Sequence, residues 1–453
     1  MRTALVCCAL VVTVLLPLPV GGATFVVDHA GSTSYSTIVE GMSAASDGDT
    51  VLIMSGTYSG SGNAPINCGA KRILIRSYND DPSDVTIDCQ SSSRGLHING
   101  GQDTTFVLRS VTITGGWAEV GGGVFVDGCS PKLENVTFLS NWANRGAAVG
   151  IRGGGQPVFR DCFFESNTTS AGGGAVHARG TGTAALFRNC GFFSNEAGNS
   201  GGGVAADSSA VVNLRVCEFN SNDASNNGGA VFSGSGAEVN AIGCLIVDNT
   251  AMTCAGLYCS RAKATVSDCA FRGNVGDVQC GALRFHEATD SWVMYSTFQN
   301  NSCGYRGGAI ECSGCDPHIT NCTLIGNSAD DAAAGLYLYD SDVTVVRTII
   351  AFSTHGEAVL CDGGFENPTF TNCLIYENAG GDSLCGTYAS NDFSNPPRFC
   401  DKADHNLALC QDSFCLPAGN PWGVTVGAFG EGCGACASPV ERTSWGTLKS
   451  LFR

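Results

Sequence analysis

An all-β solenoid, one chain wound into stacked coils of short strands, is the fold this sequence predicts. Three observations predict it. The phrase Cys162-Phe163-Phe164-Glu165-Ser166-Asn167 returns at Cys190 to Asn195 and at Cys217 to Asn222, then in altered form at Cys244, Cys269, Ser296, Cys322, Thr348 and Cys373. A column of Asn141, Asn167, Asn195, Asn222, Asn249, Asn274, Asn301, Asn327, Ser353 and Asn378 advances by 25 to 28 residues per step. A second phrase, two small residues, Ala or Gly, then an aliphatic, keeps the same beat at Val124, Val149, Val176, Val204, Val231, Leu257, Leu283, Ile310 and Leu336. A fixed period of this length is the mark of a one-dimensional repeat, so the 453 residues read as one long domain.

The chain opens with a secretory leader over residues 1–23: Arg2, an apolar run from Ala4 to Val20, then Gly21-Gly22-Ala23 as a small-residue cleavage site. Export permits disulfides, and removal of Cys7 and Cys8 leaves 23 of the 25 cysteines, an odd number. After the leader no stretch is long and apolar enough to cross a bilayer as a helix. The net charge of −17 repels nucleic acid and anionic lipid, which excludes both as partners. The 61 glycines fit a fold with several tight turns per repeat.

Residues 24–58 read as a cap. Thr24 to Asp28 forms a strand, Ser36 to Ala45 has helical spacing with Ser36 or Thr37 as its cap, and Thr50 to Met54 forms a second strand. The series Tyr35-Ser36-Thr37-Ile38, Ala44-Ala45-Ser46-Asp47-Gly48-Asp49-Thr50-Val51 and Gly56-Thr57-Tyr58 resembles the N-terminal cap of right-handed parallel β-helix proteins of the pectin-lyase-like superfamily. The resemblance implies a helix over the open end of the first coil and says little about function.

Residues 59–390 form the β-helix. Irregular coils come first, with strands at Ile73 to Ile75, Val85 to Ile87 and Val111 to Ile113. From Gly121 to about Asn378 ten regular rungs follow two or three irregular ones, for a coil on the order of 60 Å long. Two columns are apolar in every rung and face inward: Leu133, Phe159, Phe187 and their successors, and Phe138, Phe164, Phe192, Phe219 and theirs. The Asn or Asp before the cysteine (Asn135, Asp161, Asn189, Asp268, Asn321, Asn372) marks a bend in left-handed backbone, and the asparagine column marks the next bend, where amides can bond from rung to rung. The phrases GGA[VIL] and FxxN over residues 121–378 are also similar to those of the chlamydial polymorphic outer membrane proteins, which implies a cell-surface or outer-membrane setting. The C-terminal β-barrel of that family is not evident here.

Residues 391–436, with Asn395-Pro396-Pro397-Arg398-Phe399 and Val426-Gly427-Ala428-Phe429, look like the end segment of secreted bacterial β-helix proteins. That resemblance implies closure of the last coil. Residues 437–453, with Trp445, Leu448, Leu451 and Phe452, read as a sorting or anchoring tail or as a frayed end.

The cysteine column reads as structural, because a small residue beside a bend also explains Ser296 and Thr348. Cys254 and Cys280 share a turn column on adjacent rungs and are the candidate disulfide, while the cysteines at 400, 410, 415, 433 and 436 staple the closing segment. The two CxxC pairs, at Cys312 and Cys433, lack a second half at zinc spacing. Asp-rich turns could hold calcium, but no GGxGxDxUx array supports it, and no cofactor is evident. The outward columns of the GGA strand gather Asp127, Arg152, His177, Arg179 and Asp207, with Arg284, His286 and Glu311 further along, as the candidate ligand face; polar residues are also what any solvated face carries. The motifs of polygalacturonases and pectate lyases are missing. The expected function is therefore a secreted or cell-surface structural or adhesin-like protein binding polysaccharide or a surface protein. The alternative is a lyase or glycoside hydrolase acting on acidic polysaccharide.

Overall fold

The computed structural model describes residues 22–364, 366–389, 391 and 395–436. Residues 1–21 of the expected leader and the expected tail from residue 437 lie outside the described residues. Each regular rung carries four strands, as in Lys132–Glu134, Thr137–Leu139, Trp142–Arg145 and Val149–Arg152. Stacked rung on rung, these make parallel sheets I to IV of 15, 13, 9 and 12 strands. Fifteen strands in sheet I, from Thr24–Val27 to Thr387–Ala389, exceed the count read from the repeat, because cap and irregular coils join the same sheet. At ~4.8 Å per step the rod is about 65–70 Å long. No helix among the described residues is long and apolar enough to cross a membrane.

The cap helix spans Ile38–Ala44. Thr37 is its N-cap in extended backbone, its hydroxyl accepting from the Glu40 amide while the Glu40 carboxylate accepts from the Thr37 amide. Ile38 and Met42 are buried on the first coil, where the helix covers the sheet edge.

Inside the rod identical residues stack in register. Phe138, Phe164, Phe192 and Phe219 form a column of parallel rings with centroids 4.9, 4.6 and 4.4 Å apart, the rung repeat itself. Each buried ring contributes roughly 2–3 kcal/mol through burial. The bend before the cysteine holds Asn135, Asp161, Asn189, Asp268, Asn321 and Asn372 at φ between 49° and 55°. Each thiol then donates to the carbonyl two residues back, as Cys162 to Arg160 at 3.4 Å and Cys269 to Ser267 at 3.2 Å. Ser296 and Thr348 do the same to Met294 and Val346, at 2.7 and 3.1 Å, which explains their interchange with cysteine.

The closing segment departs from the expectation that it closes the last coil. It lies as a strap on the outer face of sheet II, because that face is apolar there. Val426, Leu416 and Leu409 bury Ile349, Ala351 and Leu374. Asn321 donates to the Thr425 and Gly427 carbonyls (3.1 and 3.3 Å), Gly427 donates to the Arg347 carbonyl (2.8 Å), and Ala428 donates to the Thr323 hydroxyl (3.0 Å). The Gln299 side-chain amide reaches the Lys402 carbonyl at 3.1 Å. Disulfides Cys400–Cys433 and Cys410–Cys436 staple the strap's own three-stranded sheet. A third, Cys361–Cys385, joins residues 24 apart, close to one rung, a spacing the sequence reading passed over.

Candidate functional site

Sheet IV carries the candidate residues, and its backbone decides how much of each is reachable. Eight of the nine sheet III strands are followed by a left-handed bend, at Gly121, Gly146, Gly173, Gly201, Gly228, Cys254, Cys280 and Gly307. This bend folds over the first outward column of sheet IV. The approach is close: a Cβ on Gly146 would sit 2.3 Å from the Val149 carbonyl, and one on Gly173 would sit 2.2 Å from that of Val176. The first column is thus covered rather than solvated, with His177, Arg284 and Glu311 buried. Asp127, Arg152, Arg179, Asp207 and His286, in the second outward column, reach solvent.

The candidates fall into three groups. Asp127 pairs with Arg152 at 3.1 Å, and that guanidinium lies 4.5 Å from the Phe125 ring centre. The same ring stacks on His97 at 5.1 Å and takes Arg94 at 4.9 Å, both residues that the sequence reading missed. Burial and the neighbouring Arg94 push the His97 imidazole pKa down.

Two rungs beyond Arg152, Asp207 is held from three sides: hydrogen bonds join it to His177 Nε2 at 3.0 Å and the Ser208 hydroxyl at 2.7 Å, and an ion pair joins it to Arg179 Nε at 3.3 Å. Burial alone would raise the Asp207 carboxyl, but the bonds from His177 and Ser208 outweigh it and hold its pKa below the usual carboxylate range. Such a carboxylate is a weak base, already shared between an imidazole and a guanidinium.

The third group is buried. Glu311 lies 3.3 Å from Arg284 Nη2 and 3.5 Å from Arg306 Nε. Burial pushes its carboxyl up, against the pull of both guanidiniums. Arg306 donates to the Tyr337 hydroxyl at 2.8 Å, and Tyr337 in turn donates to Asp362. Arg284 also donates to Gln279 Oε1 at 2.7 Å. Among the described residues no ion pair joins His286 to this group; burial and Arg284 push its imidazole pKa down. Arg306 and Gln279 were legible as the last residues before the small-residue phrase, but only the covering bend gives them a role.

Cys254 and Cys280 occupy that bend at φ 55° and 50°, as thiols with sulfurs 3.0 Å apart. Among the described residues the cluster of metal-ligating type is Cys400, Cys410 and Cys433, and all three are in disulfides, which leaves no thiolate there for a cation.

The architecture has a counterpart in sequence. The family model of the right handed beta helix region matches residues 94–271 and 255–396, about two-thirds of the chain. The chain belongs to this right handed beta helix family. No curated protein sequence matches it. Among solved structures the β-helix is similar to pectate lyase Pel9A, at 13% identity and a TM-score of 0.42, covering 90% of this chain and 96% of that one. It is similar to PfbA, a surface adhesin of Streptococcus pneumoniae, at 10% identity and a TM-score of 0.41, covering 76% and 86%. It is also similar to the A-module of the Azotobacter vinelandii mannuronan C-5 epimerase AlgE6, at 14% identity and a TM-score of 0.43, covering 79% and 93%.

Proposed function

We propose that this β-helix is an extracellular or cell-surface protein of structural, adhesin-like type that binds polysaccharide or a surface protein along its outer faces. One observation carries the reading. The ionisable side chains of sheet IV neutralise each other: Asp207 is shared by His177 and Arg179, Asp127 is held by Arg152, and Glu311 is buried between two arginines. General acid–base chemistry needs a carboxyl tuned toward neutral pH and open to substrate, and Asp207 is tuned the other way. The half-exposed guanidiniums of Arg152 and Arg179 suit an anionic ligand. Three disulfides support an oxidising setting outside the cytoplasm.

A glycan screen with product analysis tests it. Retention without turnover is expected, with at least tenfold weaker retention of acidic glycans in Arg179→Ala. Shortened or unsaturated oligosaccharides from the wild type, lost in Arg179→Ala and Asp207→Ala, would overturn the binding reading in favour of a lyase or hydrolase.

A further inference from the structure

We infer that the uncovered stretch of sheet II between Phe163 and Leu245 is a docking groove for an extended, basic peptide of a partner protein. The inference extends the binding reading to a second face and does not use the sheet IV residues. The groove is open, of about 300 Å³, with Phe163, Phe193, Val216 and Leu245 as apolar lining and Asn189 and Glu218 as polar edges. Phe163 is 45% and Val216 63% exposed, apolar surface left uncovered.

What covers these columns elsewhere in the rod is the strap. Five rungs on, the extended segment Val424 to Ala428 lies across them, held by the Asn321 amide, the Arg347 carbonyl and the Thr323 hydroxyl. Position for position, Asn189 stands where Asn321 does, Gly191 where Thr323 does, and Val216 where Arg347 does. Glu218 replaces Ile349, and Leu245 replaces Leu374. Val216 has the same left-handed backbone as Arg347, φ 54° against 50°, so its carbonyl is presented to a peptide N–H in the same way. A β-branched residue in that conformation is unusual, and its side chain adds to the groove wall. Asn189 gives one amide hydrogen to Asp161 at 2.7 Å and keeps the other for a peptide carbonyl. Gly191 has no left-handed backbone to account for it; the Phe193 ring lies across it as a flat apolar floor.

The groove lacks the Thr323 hydroxyl, with Gly191 in its place, and it differs in charge at Glu218, a carboxylate where the strap finds Ile349. That exchange selects a lysine or arginine opposite it, and the net charge of −17 attracts such a peptide over longer range. Recognition is by main-chain bonds with side-chain selection, the logic of extended-peptide binding in general.

The probe is a labelled octapeptide with the sequence of residues 422–429, carrying lysine in place of Ala428, titrated against the full chain by fluorescence anisotropy. Saturable binding is expected, weakened at least tenfold in Phe163→Ala and in Glu218→Lys, and weakened likewise when the peptide keeps alanine. Both variants change surface side chains, and an unchanged thermal midpoint checks their fold. Absence of saturable binding overturns the inference, as does equal binding to wild type and both variants. Oligosaccharide capture lost in Phe163→Ala would assign the groove to a glycan and also overturn it. Glycan retention through sheet IV, lost in Arg179→Ala alone, is read separately, so either site can fail without the other.

Discussion

Asn222 has a hydrogen-bond partner on every side. Its amide donates to Asn249 Oδ1 and to the Phe192 carbonyl, both at 2.9 Å, and its own oxygen accepts the backbone and side-chain amides of Asn195 at 3.1 and 2.9 Å. The same set repeats from Asn167 to Asn301, buried throughout. Asn222→Ala removes the acceptor for two buried donors of Asn195, so a loss of about 2–4 kcal/mol is expected in denaturant unfolding. Cys217→Ser should stay within about 1 kcal/mol, because Ser296 fills the same column with the same bond. Both roles were legible in sequence, since an amide column at fixed period admits few other readings. The pairing of His177 with Asp207 was not. Strand alternation treats the two outward positions of sheet IV as equivalent, and only the glycine bend, at Gly173 for this rung, tells the covered one from the open one.

At the scale of elements, the strap is held by shape as much as by hydrogen bonds. Gly427 sits at φ 96°, and a Cβ there would meet Ile349 Cδ1 at 2.6 Å. Gly427→Val combines left-handed strain with overpacking, together roughly 2–5 kcal/mol. The expected result is faster proteolysis within residues 395–436 and a lower thermal midpoint, with the far-ultraviolet spectrum of the rod unchanged. The resemblance implied an end cap, yet the sequence held a sign of the true position. Ile349-Ile350-Ala351 and Leu374-Ile375 are apolar at both inward and outward positions, the pattern of a sheet covered on both faces. Alternating rungs upstream, such as Thr137-Phe138, lack it.

Apart from the strap, the rod follows from contact between neighbouring rungs. Phe219 stacks on Phe192 and Asn222 bonds to Asn195 and Asn249, each partner one rung away. Deleting residues 217–243, one full rung, joins Val216 to Cys244 and lets Asn195 meet Asn249 in the same geometry. This deletion should give a folded rod with a cooperative melt, whereas deleting residues 217–229, half a rung, should place core residues outward and give an aggregating chain; circular dichroism and sedimentation distinguish the two.

The strap also changes how the rod answers mechanical load. A solenoid pulled at its last coil peels one rung at a time, each step opposed only by that rung's own bonds. Here a pull at Cys436 first meets a three-stranded sheet locked by Cys400–Cys433 and Cys410–Cys436, laid lengthwise from Gln299 to Tyr376. Tension is then spread in shear over several rungs at once, so the end of the rod resists as a lashed bundle rather than a zip.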